Sequence, residues 1–249
     1  ELVEILYHTL WETVHVFFEH RKLGHDVGAA DFLYPFLGRT WGDTDRLVSD
    51  VAASIRAKAA TDEELRLRLA REQGDNIVRA TVAIFDRVQR GGSLILFGNG
   101  GSATDANDWA LDCVASPKEH APIPAISLAA APATLSALAN DVGPNELFLR
   151  PLIAHARPGD VAIAISTSGG SRNVMAALEE ARRRGLLTVA LLGHDGGEIA
   201  RRGLVDHPIV VRSTNVPRVQ EVQASAYHVM LDLLEALHQQ TVRAEIPES

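Results

Sequence analysis

The hydrophobic rhythm of the chain divides it into a helical front and an alternating remainder. From Leu2 to about His20, Leu6, Leu10, Val14 and Phe17-Phe18 recur at the spacing of one face of an amphipathic helix. Trp41 to Thr61 repeats that spacing with Leu47, Val51 and Ile55. Glu63 to Arg90 carries it further with Leu65, Leu67, Leu69, Ile77, Val78, Val82 and Ile84, until Gly91-Gly92 stops it. The remainder changes period. Short apolar runs near 93–97, 123–128, 160–165, 187–192 and 208–212 predict strands. Stretches near 103–115, 132–139, 171–184, 195–202 and 218–240 predict helices between and after them. Gly185, Gly193 and Gly203 fall where helices and strands end. The pattern predicts an α/β fold, a five-stranded parallel sheet sandwiched by helices over residues 61–249, preceded by an N-terminal helical extension over residues 1–60. In such a sheet a ligand site belongs at the carboxyl ends of the strands.

Two of those strand ends break into small polar residues. Val161 to Ile165 runs into Ser166, Thr167, Ser168, Gly169, Gly170 and Ser171, and a helical pattern starts at Arg172. Leu94 to Phe97 runs into Gly98, Asn99, Gly100, Gly101 and Ser102 before another helix. A buried strand that ends this way leaves backbone N–H groups and hydroxyls facing one spot, and the following helix adds the positive end of its dipole. Ser166, Thr167, Ser168 and Ser171 are the candidate phosphate donors. Either loop alone reads equally well as a turn that caps a helix; two loops of one design favour the phosphate.

Asp108 and Asp112, four residues apart after the first loop, lie on nearly the same helix face. On the last helix Gln220 and His228 are separated by about 12 Å of rise and roughly 80° of rotation, and His228 leans back toward Gln220. Acids on a solvated face and a core histidine are the ordinary alternatives, and Glu221 is a competing acid.

The formal charge of -8 argues against a nucleic-acid surface, and 46% hydrophobic residues supply an ample core. One cysteine, Cys113, excludes an internal disulfide and suits a reducing compartment. No run is long enough to span a bilayer, and the opening residues lack a signal-peptide layout, so a cytoplasmic protein without a membrane partner is expected. The chain opens on Glu1 rather than methionine, which leaves room for residues before it. Between Ala30 and Trp41, Phe32, Leu33, Tyr34, Pro35, Phe36 and Leu37 make a dense apolar patch in a chain that is only 5% aromatic, so something must cover it. His8, His15, His20 and His25 nearby do not have the spacing of a convergent metal set.

Taken together, GNGGSATDANDW, ALANDVGPNELF, DVAIAISTSGGSRNVMAALEEARRRG, GHDGG and VQEVQASAYHVMLDLLE, in that order from roughly Glu63 to Leu237, resemble the sugar isomerase (SIS) domain, a flavodoxin-like fold, and within it the phosphoheptose isomerases. The resemblance implies aldose–ketose isomerisation of a phosphorylated sugar, most simply sedoheptulose 7-phosphate to a heptose phosphate. It implies that Ser102, Ser166, Thr167, Ser168 and Ser171 hold the phosphate, and that Asn99, Asn140, Asp141 and Gln220 line the sugar beside Gly100 and Gly101. Asp112 falls at the position of the catalytic base and His228 at that of the acid. A divalent metal, zinc in some members, would be held by Asp108, Asp112, Gln220 and His228.

The departures are specific. The family usually has glutamate at Asp112 and histidine at Asp108, so the donor set here is harder and suits manganese or magnesium better than zinc. A basic residue usual after the first helix is replaced by Val114-Ala115-Ser116-Pro117. A homo-oligomer, a tetramer by resemblance, is expected. The alternative function is a non-catalytic SIS-domain sensor or scaffold.

Overall fold

The computed structural model describes residues 3, 5–11, 44–115 and 122–245. The aromatic patch from Ala30 to Trp41, His15, His20 and His25, and Ser116 and Pro117 after the first loop's helix, lie outside them. Strands β1 (Leu94–Gly98), β2 (Ala125–Ser127), β3 (Val161–Ser166), β4 (Leu187–Gly193) and β5 (His207–Val211) form one parallel sheet in the order β2-β1-β3-β4-β5. All five lie at the expected positions.

The helices are α1 (residues 5–11), α2 (Thr44–Gln89), α3 (Gly101–Val114), α4 (Pro132–Asp141), α5 (Leu149–His155), α6 (Arg172–Arg183), α7 (Gly197–Arg201) and α8 (Val216–Glu245).

Alternation along the strands builds two cores. Leu94, Leu96, Val161, Ile163, Ile165, Val189, Leu191 and Ile209 face one side, where they pack with residues of α2, α3 and α8. Ile95, Phe97, Ala162, Ala164, Ala190, Leu192 and Val210 face the other, with residues of α5, α6 and α7. Both faces are covered, so β1, β3 and β4 are buried at every position and read as unbroken apolar runs rather than alternating ones.

Three differences from the sequence reading have local causes. The two helices expected on either side of Thr61-Asp62 are one helix, α2, of 46 residues. The Thr61 hydroxyl donates to the Ala57 carbonyl one turn back, and Asp62 is buried with Oδ2 3.0 Å from Arg66 Nη2, so neither polar residue breaks the helix. The expected boundary at residues 60/61 therefore lies inside a continuous helix. Second, α5 and the 3-10 turn Pro144–Glu146 before it were not expected; seven residues are too few to show a helical period. Third, α8 continues to Glu245 rather than ending near residue 240.

The chain leaves β1 toward β2 on one side and then returns to β3 on the other. The strand order therefore reverses between β1 and β3, and a crevice opens outside their carboxyl ends. Both Gly/Ser loops follow these two strands, and the register pairs Gly98 with Ile165 at their ends.

Candidate active site

The first loop is built around close backbone approaches. Gly100, the residue before α3, has φ 58° and ψ -125°, a conformation open only to glycine. The Ser102 N–H donates to the Asn99 carbonyl at 3.1 Å, and Ser102 is buried against Gly98, where an added Cβ would meet the Ser102 Cβ at 2.8 Å. An added Cβ on Gly101 would fall on the Gln220 side-chain amide. That amide therefore lies directly over the N-terminus of α3, across the helix pair.

The second loop divides its hydroxyls. Ser166 is buried at the end of β3, and its Oγ accepts the Gly169 N–H at 3.1 Å, so it shapes the turn from within. Gly169 has φ 62° and packs so closely on the Gly196 backbone that no side chain fits. Ser168 is exposed and its Oγ accepts the Gly170 N–H at 3.3 Å. Thr167 is half-buried. Ser171 precedes α6, yet its hydroxyl does not cap the helix. The capping alternative thus fails at Ser171, and α6 begins directly after the loop with no acidic side chain in its first turn to oppose an anion there.

A stacked aromatic pair sets α3 against α8. Trp109, fully buried, lies over Tyr227 with ring centroids 5.3 Å apart and planes 14° from parallel. One turn beyond Trp109 stands Asp112, and directly after Tyr227 stands His228, whose ring centroid is 4.4 Å from that of Tyr227. The stack brings Asp112 Oδ2 and His228 Nε2 to 3.8 Å, each 36% exposed and open to a ligand. Beside Asp112, Cys113 is buried; desolvation, reinforced by the Asp112 charge, pushes its thiol up to about 12, so it remains protonated and is no nucleophile.

Glu221, the competing acid, points away from this site. It is 1% exposed, within 2.6 Å of Arg218 Nη1, and its Oε1 is 2.8 Å from His8 Nδ1 of α1. Asn140 and Asp141 stand at the exposed end of α4, where the Asn140 amide donates to Asp141 Oδ1 at 2.7 Å; neither bonds to either loop among the described residues.

The donors implied for a metal are assembled only in part. Asp112 and His228, 3.8 Å apart, are separated by little more than the ~3.3 Å that two ligands span around tetrahedral zinc with bonds of about 2.0 Å, whereas the Gln220 amide stands against Gly101, at the other end of α3. Asp108, however, is exposed one turn back, and among the described residues no three His, Cys, Asp or Glu side chains converge on one point. Of the four positions, the structure brings Asp112 and His228 together, and no step below runs through a metal.

Sequence reasoning missed Asn173. At the start of α6, its Nδ2 donates to Asn99 Oδ1 and its Oδ1 accepts from Asn99 Nδ2, both at 2.9 Å. The available signal was an asparagine two positions after Ser171.

The SIS domain model matches residues 60–193. A phosphoheptose isomerase of Geobacter sulfurreducens is 40% identical over 190 residues, covering 76% of this chain and 97% of that protein. The structure of a phosphoheptose isomerase from Neisseria gonorrhoeae superposes with a TM-score of 0.70 at 28% identity, covering 75% of this chain and 99% of that one. One from Francisella tularensis superposes with a TM-score of 0.71 at 26% identity, covering 74% and 98%. The chain belongs to the SIS-domain family and, within it, to the phosphoheptose isomerases.

Proposed function

We propose that this protein is an aldose–ketose isomerase that converts sedoheptulose 7-phosphate to a heptose 7-phosphate. The observation that carries the reading is the Asp112–His228 pair, 3.8 Å apart where α3 meets α8, in a chain of the phosphoheptose isomerase family with Gly/Ser loops after β1 and β3.

Isomerisation moves one proton between adjacent carbons. Asp112, ionised, takes the proton from the ketose carbon next to the carbonyl. The released electron pair forms the C=C bond of a cis-enediol as His228 gives a proton to the carbonyl oxygen. Protonated Asp112 then returns its proton to the former carbonyl carbon, and the hydroxyl on the first carbon loses its proton to His228 as the aldehyde forms. Each transfer by a well-placed group contributes about 10²–10⁴-fold. Phosphate held by Ser168, Thr167, Ser171 and the N-termini of α3 and α6 fixes one end of the sugar, so that a single carbon faces the base. Gln220 and Asn99 would orient the oxygens near that carbon.

Two further elements of the reading concern setting. We place the enzyme in the cytoplasm: no helix among the described residues is long and apolar enough to cross a membrane, and its cysteine is a buried free thiol. We also take the working form to be a homotetramer. Incubating the purified protein with a panel of C5 to C7 sugar phosphates and following interconversion by NMR tests the function. Turnover of sedoheptulose 7-phosphate is the expected result. Tight binding without turnover of any member would replace the enzyme with a sugar-phosphate sensor.

A further inference from the structure

The pairing of Asn99 with Asn173 joins the two loops of the crevice across 74 residues of sequence. Both side chains are exposed or half-buried, where an amide gains little net stability by exchanging water for another amide. Stability therefore does not account for the pair, and its polarity suggests another role. An asparagine amide offers two N–H donors and two acceptor lone pairs. Asn173 Oδ1 also accepts the Val174 backbone N–H at 2.9 Å, and a backbone N–H can only donate. The Asn173 oxygen is thereby fixed on the side it shares between the Val174 N–H and the Asn99 nitrogen, which leaves the Asn173 nitrogen opposite the other end of the Asn99 amide. Asn99 must in turn meet that nitrogen with its own oxygen. One backbone group of α6 thus dictates the orientation of an amide on the opposite loop, and leaves Asn99 with one N–H and one lone pair for a ligand.

We propose that Asn173 is a positioning residue for the isomerase: without touching the sugar, it fixes which way the Asn99 amide presents its donor and acceptor to the substrate oxygens. The inference rests on the function proposed above. A misoriented Asn99 would place an acceptor where the sugar carbonyl needs a donor. Because α6 also carries the phosphate-facing N-terminus, the clamp holds the sugar-facing amide in register with the phosphate seat.

The test is a double-mutant cycle of Asn99→Ala and Asn173→Ala, with Asn173→Asp as a third variant, read as kcat and KM for sedoheptulose 7-phosphate beside thermal midpoints. Asn173→Ala is expected to lower kcat/KM by roughly tenfold with little change in midpoint. The double variant should be no worse than Asn99→Ala alone, because the clamp acts only through Asn99. Asn173→Asp keeps the acceptor for Val174 but sets an oxygen against Asn99 Oδ1, so it should lose activity as Asn173→Ala does while remaining folded. Additive losses, losses that follow the thermal midpoint, or wild-type kcat/KM in Asn173→Asp would overturn the proposal. Should the wild-type protein not turn over the sugar, the isomerase reading fails on its own. The same cycle is then read in calorimetric affinity for sedoheptulose 7-phosphate, where coupling upholds the clamp and additivity rejects it.

Discussion

Asp112 meets His228 although its side chain is one methylene shorter than a glutamate, because the buried Trp109–Tyr227 stack draws the two helices together just before both residues. Asp112→Glu separates two explanations. A base that is merely short should keep or raise kcat when lengthened, whereas a site shaped around the aspartate should lose it. His228→Gln should abolish turnover and leave sugar-phosphate affinity within a few-fold, since the imidazole acts mainly in the transition state. Single-turnover kinetics beside calorimetry reads both. The phosphate seat is independent of this pair. Ser168→Ala combined with Ser171→Ala should weaken binding at least tenfold, given about 1.5–3 kcal/mol for each charge-assisted hydrogen bond, and unchanged calorimetric affinity would remove the seat. At the outer acid, Asp108→His exchanges a hard ligand for a softer one next to Asp112 and His228. It should tighten zinc binding by more than tenfold in competition with a chromophoric chelator; no change would mean that Asp108 does not reach the metal position. These side chains could be named from sequence because they sit at fixed offsets from Gly/Ser loops. Asn173 could not, because its partner is 74 residues away and only the folded crevice brings them together.

At the scale of elements, the five strands and two loops were legible for one reason: each strand is an apolar run closed by a polar break. The seam between α2 and α8 was not. Lys58, Asp62 and Arg66 recur every fourth residue on α2, a spacing that a solvated helix face also shows, but Asp62 is buried there, and so are Arg218 and Glu221 on α8. Their setting is electrostatically strained. Burial and the Glu221 charge push the Asp62 carboxyl upward, Arg66 and Arg218 opposing, and Lys58 is pushed down to about 8 by desolvation and then by Arg218, with Glu221 acting against the shift. For Lys58 the folded pKa lies below the ordinary 10.5. Below about 8 both folded and unfolded states carry its proton, and the cost of charging the seam is fully present. Between about 8 and 10.5 only the unfolded chain holds that proton, so this group's contribution to stability rises with pH. Lys58→Met should be more stable than wild type at pH 7, by about 1 kcal/mol after solvent screening, and the difference should shrink toward pH 10.5. Urea unfolding at a series of pH values measures it; a difference independent of pH would mean that Lys58 is not the group responsible. Arg218 and Glu221 follow another rule. Removing one partner alone leaves an uncompensated buried charge, at a cost of about 3–5 kcal/mol.

At the scale of the whole molecule, the curated relative is matched almost end to end while about a quarter of this chain lies outside the match. The only described part of the first 43 residues, α1 with Val3 just before it, touches α8 through His8 and Glu221 and turns Val3, Leu6, Tyr7 and Leu10 outward, each at least 60% exposed. Leu67, Val78 and Val82 on α2, Leu111 on α3 and Val229 on α8 are also exposed, and the last two directly adjoin Asp112 and His228. A site rimmed by bare apolar side chains is an incomplete surface. Covering four residues of this size contributes on the order of 6–12 kcal/mol before association costs, enough for a stable oligomer. We therefore expect a tetramer in solution in which a neighbouring subunit covers the rim of the site, so that dilution below the assembly threshold lowers kcat/KM together with mass. Light scattering across a concentration series gives the mass, and a monomer at micromolar concentration would end the claim. A chain beginning at Trp41 separates the extension from the core: if α1 and the aromatic stretch from Phe32 to Phe36 bind a neighbour, the truncated protein should dissociate at higher concentration than the full chain. Equal mass and equal ligand affinity in the two proteins would assign assembly to the helices of the SIS core alone.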